Sequence, residues 1–318
     1  MKRFQNEIAE SKFSLPISSI YGILVWIAAG LIGSNLWLPF SLVALSVYLM
    51  AELNNRNTLL RVRSRMVSCS FVFLSAMNLL SISNWRVALV MFCFVSFIFL
   101  IFHTCQDDMA LGAAFSAFIF IGIASLAWVN ILFFVPVLLF LMFRPLYGMS
   151  LRVLSASVLG LIIPYWISSL YIIYMEGYGM AETHIMTLTD FSWLFKYEGV
   201  TLGMTVNFAF LVVSGLLGAI HFMHNSYKDK IRVRLLFTIL IIASTLLIVF
   251  ISVAPPLGEY LIPILTVTTS PLIAHFFTFT NSRASNYTFI VWIVLAIAIT
   301  VFSLCLTSSY NMVLSECL

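Results

Sequence analysis

A chain of 318 residues that is 62% hydrophobic, 15% aromatic and only 9% charged, with a mean hydropathy of +1.08, lies outside the range of soluble globular proteins. These values exclude a water-soluble enzyme and predict an all-α, polytopic transmembrane helical bundle whose first partner is the lipid bilayer. The formal charge of +4 fits basic residues in short loops against anionic headgroups, and no nucleic-acid partner is expected.

A bilayer takes roughly 17–25 apolar residues per helical span. Eleven segments approach or meet that length: 17–33, 36–52, 66–83, 87–103, 110–126, 128–143, 151–174, 201–223, 235–254, 260–279 and 286–306. With the N-terminus in the cytoplasm, this count leaves only Arg86 and Lys196 outside and gathers the other basic residues inside, as the positive-inside rule requires. The chain is therefore read as a single transmembrane domain, 1–318, with a seven-span part over 1–174, an external loop over 175–200 and a four-span part over 201–318. Residues 110–143 carry no charge, and reading them as one helix would put Arg144, Arg152 and the basic cluster at 228–234 outside. They are read as two spans turning near Trp128 and Asn130.

In chain order, the opening dozen residues predict a short interfacial helix, and the basic start MKRFQNEIAESKFSLP leads into an uncleaved first span. Gly33, Ser34 and Asn35 close a tight hairpin. The next connection, with Arg56, Arg61, Arg63 and Arg65, is rich enough in arginine to hold a phosphate, although topology anchoring alone also explains it. The fourth span ends in His103-Thr104-Cys105-Gln106-Asp107-Asp108, where a histidine and two carboxylates stand together. Ala110, Ala114 and Gly122 make the fifth span a close-packing helix. Pro136 and Pro164 interrupt the sixth and seventh, a pattern found at transporter binding sites.

The loop at 175–200 is acidic, and its Phe191, Trp193, Leu194 and Phe195 predict contact with the membrane surface; a lid with a carboxylate base is the alternative. The eighth span carries Asn207 and the small residues Ser214, Gly215, Gly218 and Ala219, and ends in His221 and His224. That histidine pair has no third ligand at a diagnostic spacing, so no metal site is expected. The five cysteines show no ligand spacing either and are read as small apolar fillers.

The chain is organised around residues 261–280, LIPILTVTTSPLIAHFFTFT, which place prolines, hydroxyls and a histidine inside a span. Thr268, Pro271, His275 and Thr278 fall on one helical stripe that should face other helices, and Pro271 frees the carbonyl of Val267. His103, His221, His224 and His275 all fall near cytoplasmic helix ends, as do Glu52, Asp107 and Asp108. If those ends converge they form a pocket for a phosphate or a proton. The candidate substrate-binding residues are thus His275, Thr268, Pro271, His103, Asp107, Asp108, His221, His224, Arg61 and Arg63. No residue presents itself as catalytic, and no cofactor is expected.

The stretch GIASLAWVNILFFVPVLLFLMFRPLYGMSLRVLSASVLGLIIPYWISSLYIIY, with the later NSYKDKIRVR and TSPLIAHFF, resembles an uncharacterised family of multispanning bacterial inner-membrane proteins. The resemblance implies an inner-membrane location and brings no activity with it. The middle stretch also loosely resembles integral membrane glycosyltransferases that use polyprenyl-phosphate sugars. Those enzymes carry an acidic residue in a large first external loop, where this chain has only Gly33-Ser34-Asn35. Three functions are expected in this order: a component of cell-envelope biogenesis working with other membrane proteins, an enzyme handling a lipid-linked glycan or lipid phosphate, and a proton-linked transporter using His275.

Overall fold

The computed structural model describes residues 3–102, 110–143, 150–175, 182–184 and 186–316. Among these residues the regular structure is all helical, without strands. The helices are α1 Phe4–Glu10, α2 Ser14–Ala28, α3 Trp37–Asn57, α4 Met66–Met77, α5 Leu79–Ile82, α6 Trp85–Ile101 and α7 Leu111–Ala127. A 3₁₀ turn, Val129–Phe134, leads into α8 Val135–Phe143 and α9 Leu151–Met175, followed by α10 Leu202–Asn225, α11 Ile231–Val253, α12 Gly258–Phe279 and α13 Arg283–Glu316.

Among the described residues, helix covers most of each of the eleven expected segments. Among the described residues six stretches are long and apolar enough to cross a membrane: Trp37–Asn57, Leu151–Leu170, Leu202–Lys228, Ile231–Val253, Pro255–Phe279 and Arg283–Leu306. A seventh crossing is added if α1 and α2, bent by 90°, count as one span. Helices α4, α6 and α7 have 12, 17 and 17 residues. At 1.5 Å per residue the shortest reaches about 18 Å, against a hydrocarbon core of about 30 Å. The outer surface is apolar, with Ile20, Leu24, Leu45, Ile162, Leu216 and Val294 exposed. Such a surface is stable against lipid tails and not against water.

The centre of the bundle is α12. Helices α1, α4, α6, α10 and α11 all pack on it, and α3, α6, α7 and α9 extend the bundle as a row of neighbours. From Leu261 to His275 every residue of α12 is buried, so the polar stripe has no lipid-facing side opposite it. Thr266, Thr269 and Ser270 are buried along with Thr268. These hydroxyls turn onto their own helix: Thr268 donates to the carbonyl of Leu265 at 3.1 Å and Thr278 to that of Ala274 at 2.7 Å. Ser270 Oγ lies 3.4 Å from the Val267 carbonyl that Pro271 leaves free, and Ser70 of α4 donates to the Ser270 carbonyl at 2.9 Å.

Small residues set the spacing between helices. A Cβ on Gly218 of α10 would lie 2.5 Å from the backbone of Leu272, and one on Gly160 of α9 would lie 2.4 Å from the carbonyl oxygen of Phe115. Backbones meet there because lipid supplies no hydrophobic drive between helices and close packing must supply the attraction. Helix α7 breaks at Trp128, whose extended backbone (φ −152°, ψ 100°) ends the helix before the 3₁₀ turn. The amide of Asn207 donates to the carbonyl of Met77 at 3.0 Å, where α4 gives way to α5. Asn207→Leu leaves that buried carbonyl without its donor and should cost about 1–3 kcal/mol, read as a lowered thermal midpoint.

Candidate functional site

One end of the bundle brings Lys12, the arginines of the 58–65 loop and Lys230 together. Thr58 closes α3 in the left-handed region (φ 46°, ψ 48°), a conformation that β-branched residues rarely adopt, and turns the chain into the loop at 58–65. Asn54 holds both limbs of that loop: its carbonyl accepts from the Leu59 amide at 3.4 Å and its side chain donates to the Ser64 carbonyl at 2.8 Å. Helix α1 lies across the same end. Its Gln5 side chain is buried and donates to the carbonyl of Phe277 and, at 2.9 Å, to Thr280 Oγ1, capping the last turn of α12. The expected interfacial helix thus presents Gln5 and Ala9 inward and leaves Phe4 exposed.

Between α1 and the 58–65 loop lies a cavity of about 1290 Å³. Lys12, Arg61, Arg63, Arg65 and Lys230 line it, against the single carboxylate of Glu10. The volume exceeds the ~300–1,000 Å³ of ordinary small-molecule sites, which leaves room for a headgroup larger than a phosphate.

Arg61 joins this cavity to the core. Its Nε pairs with Oδ1 of Asp229 at 2.7 Å, and its guanidinium lies 4.4 Å from the centre of the Phe279 ring. Asp229 sits between a one-turn 3₁₀ helix, Ser226–Lys228, and the start of α11, where backbone amides favour a carboxylate. Burial pushes the Asp229 carboxyl above its ordinary value, while the Arg61 guanidinium, aided by Arg234, holds it down. The other carboxylate oxygen lies 3.3 Å from Nε2 of His275. His275 has no exposed surface and is ringed by Phe222, Phe237 and Phe279 at 4.6–5.2 Å between ring centres. His221 stands 5.4 Å from it, ring to ring. An ionised carboxylate only accepts, so the neutral imidazole carries its proton on Nε2, and Nδ1 is left bare and without a partner.

The expected convergence is therefore met in part. His221 and His275 come together, and Arg61 and Arg63 share the cavity. His224 is exposed on the last turn of α10, while Thr268 and Pro271 lie deeper in α12. His103, Asp107 and Asp108 lie outside the described residues. Asp229, which connects the site, stands out in the sequence only as a lone acid among Lys228, Lys230, Arg232 and Arg234. Among the described residues no group of three His, Cys, Asp or Glu side chains converges on a metal-sized space.

The opposite end holds the 182–200 segment. Phe191 and Trp193 pack with Phe133, Trp193 with Phe250, and the Phe195 amide donates to the Val253 carbonyl at 2.9 Å. Asp190 accepts from the Ser192 amide at 3.0 Å, and that bond holds its carboxyl below the usual value, the opposite of what a base poised near neutrality needs. No family model, curated protein or solved structure matches the chain.

Proposed function

We propose that the chain is a multi-pass component of bacterial cell-envelope biogenesis in the inner membrane, and that its basic cavity binds the phosphate of a lipid-linked glycan or lipid phosphate. The observation that carries this reading is the cavity itself, with five cations against one carboxylate beside a helix that lies at 90° to its neighbour. In the topology that goes with it, eleven spans leave the N-terminus and the basic loops in the cytoplasm. Helices α4 and α5 make one interrupted crossing, and α6, α7 and α8 complete theirs with flanking residues. Headgroups then reach the cavity sideways from the cytoplasmic leaflet. A proton-linked transporter is the second reading, favoured by the pair of His275 and Asp229 buried against the central helix.

Native mass spectrometry of the chain extracted with its own lipids tests the first reading. The wild type should retain a phosphate-bearing lipid, and Arg63→Gln with Arg65→Gln and Lys230→Gln should lose it at least tenfold. Retention should also fall as salt rises, because exposed cations are screened over about 8 Å at physiological ionic strength. A lipid profile unchanged by the triple substitution would remove the reading. A stoichiometric protein partner with only bulk phospholipid would make the chain a structural subunit instead.

A further inference from the structure

The cavity and the buried histidine share one residue, Arg61. Its side chain is 36% exposed on the cavity side, while the Asp229 side chain it pairs with has no exposed surface. The remaining polar partner of Asp229 is His275, whose ring is otherwise enclosed by phenylalanines and His221. The charge on Asp229 is thus matched from the cavity side by a group that an incoming anion also attracts.

We propose that an anion entering the cavity draws Arg61 off Asp229, and that the pair of His275 and Asp229 then takes one proton from solvent, so that anion binding and proton uptake are one linked event. This rests on the reading of the cavity as a phosphate site. A carboxylate stripped of its cation inside protein is strongly unfavourable, and the accessible relief is a proton. The N–H bond forms at the bare Nδ1 of His275; the neighbouring ring, 5.4 Å away centre to centre, is His221, a half-buried imidazole whose own Nδ1 also lacks a partner. The imidazolium then takes the place of Arg61 opposite the carboxylate. The other charged and titratable groups around the pair come from three elements: Arg234 on α11 acts on Asp229, and Lys228 of the Ser226–Lys228 turn and His224 on α10 act on His221 along with Arg61. Arg234 favours the ionised carboxylate. His275, the imidazole that stands 3.3 Å from the carboxylate, is the place where the proton stops. The raised carboxyl of Asp229 acts in the same sense, since a falling pH loosens its hold on Arg61. By reciprocity, acid strengthens anion binding.

Calorimetric titration of the full chain in detergent tests this, using two buffers of different ionisation enthalpy at pH 7. One arm adds sulfate and the other dihexanoyl-phosphatidylglycerol, both of fixed charge at this pH, with the phosphatidylcholine analogue as control. Uptake of about one proton per bound anion is expected, in the sulfate arm if the natural ligand is a free anion and in the lipid arm if it is a headgroup. Affinity should rise several-fold from pH 8 to pH 6. Asp229→Asn should abolish the proton uptake and tighten binding several-fold, because Arg61 is released to the cavity, whereas a merely structural role for Asp229 would weaken binding. Anion bound with no proton taken up, or weaker binding in Asp229→Asn, overturns the coupling and leaves the phosphate site standing. No binding in either arm removes both.

Discussion

Arg61→Ala should lower the thermal midpoint steeply at pH 8 and much less at pH 5, and Asp229→Asn in the same chain should restore most of the loss. Removing one partner of a buried ion pair costs about 3–5 kcal/mol, because the other charge is left without compensation. Arg61 is 36% exposed, so water already screens part of the pairing and the expected loss at pH 8 is nearer 2–3 kcal/mol. The sign with pH follows from Asp229. Burial already pushes its carboxyl up, and without Arg61 only Arg234 holds it down until the pair with His275 takes a proton. A carboxyl raised in the folded state favours folding when protonated, so its penalty is absent below the unfolded value near 4 and grows as pH rises through the folded value. The stability of the variant should therefore fall from pH 5 to pH 8. Thermal unfolding of the single and double variants at the two pH values checks this, and a pH-independent loss would mean that only packing against Phe279 was removed.

Gly218→Ala should be nearly as damaging although it adds one methyl group. The added carbon would stand 2.5 Å from the Leu272 carbonyl carbon and 2.8 Å from the Ile273 amide nitrogen, all backbone atoms that cannot rotate away. Helix α10 must move off α12, and overpacking of this kind costs about 1–3 kcal/mol. The shift also carries His221 away from His275, so the anion site should weaken along with the fold. Gly112→Ala is the control, since a Cβ there meets nothing within 4 Å. Its midpoint should hold or rise slightly, because alanine is the better helix former. Equal effects at the two glycines would mean that close approach does not set the spacing of α10 and α12.

Much of the fold was legible because lipid imposes a strict rule: every backbone polar group must be satisfied within the segment, so long apolar runs are helices. The break at Trp128 was visible because charge placement in later loops demanded a turn there. The small residues of α7 and α10 likewise announced close packing. What composition does not carry is helix length at full regularity. Residues 66–83 read as one span, yet the helix is interrupted at Asn78, whose side chain bonds to the Leu74 carbonyl at 3.0 Å. The hydroxyls of α12 read as a polar lining, but threonine and serine in a buried helix satisfy themselves on the preceding turn, and little is left for a ligand.

The site was half legible for a related reason. Cations near a membrane edge have a sufficient explanation in topology, so Arg61 and Arg63 could be named but not ranked above their neighbours. Asp229 sits in a run of charges that reads as a solvated face, and it acquires its role only through contacts 168 residues away to Arg61 and 46 residues away to His275. No periodicity encodes such separations. The pairing of His221 with His275 was available as a convergence of helix ends, whereas the choice of His221 over His224 depends on which face of α10 meets α12.

The most direct measurement is a cryo-electron microscopy structure of the full chain in nanodiscs made from its native membrane lipids. A phosphate-sized density among Arg63, Arg65 and Lys230, with Arg61 swung from Asp229 towards it, is the expected result. An empty basic cavity, with ordered headgroups bound elsewhere and Arg61 still on Asp229, would contradict it.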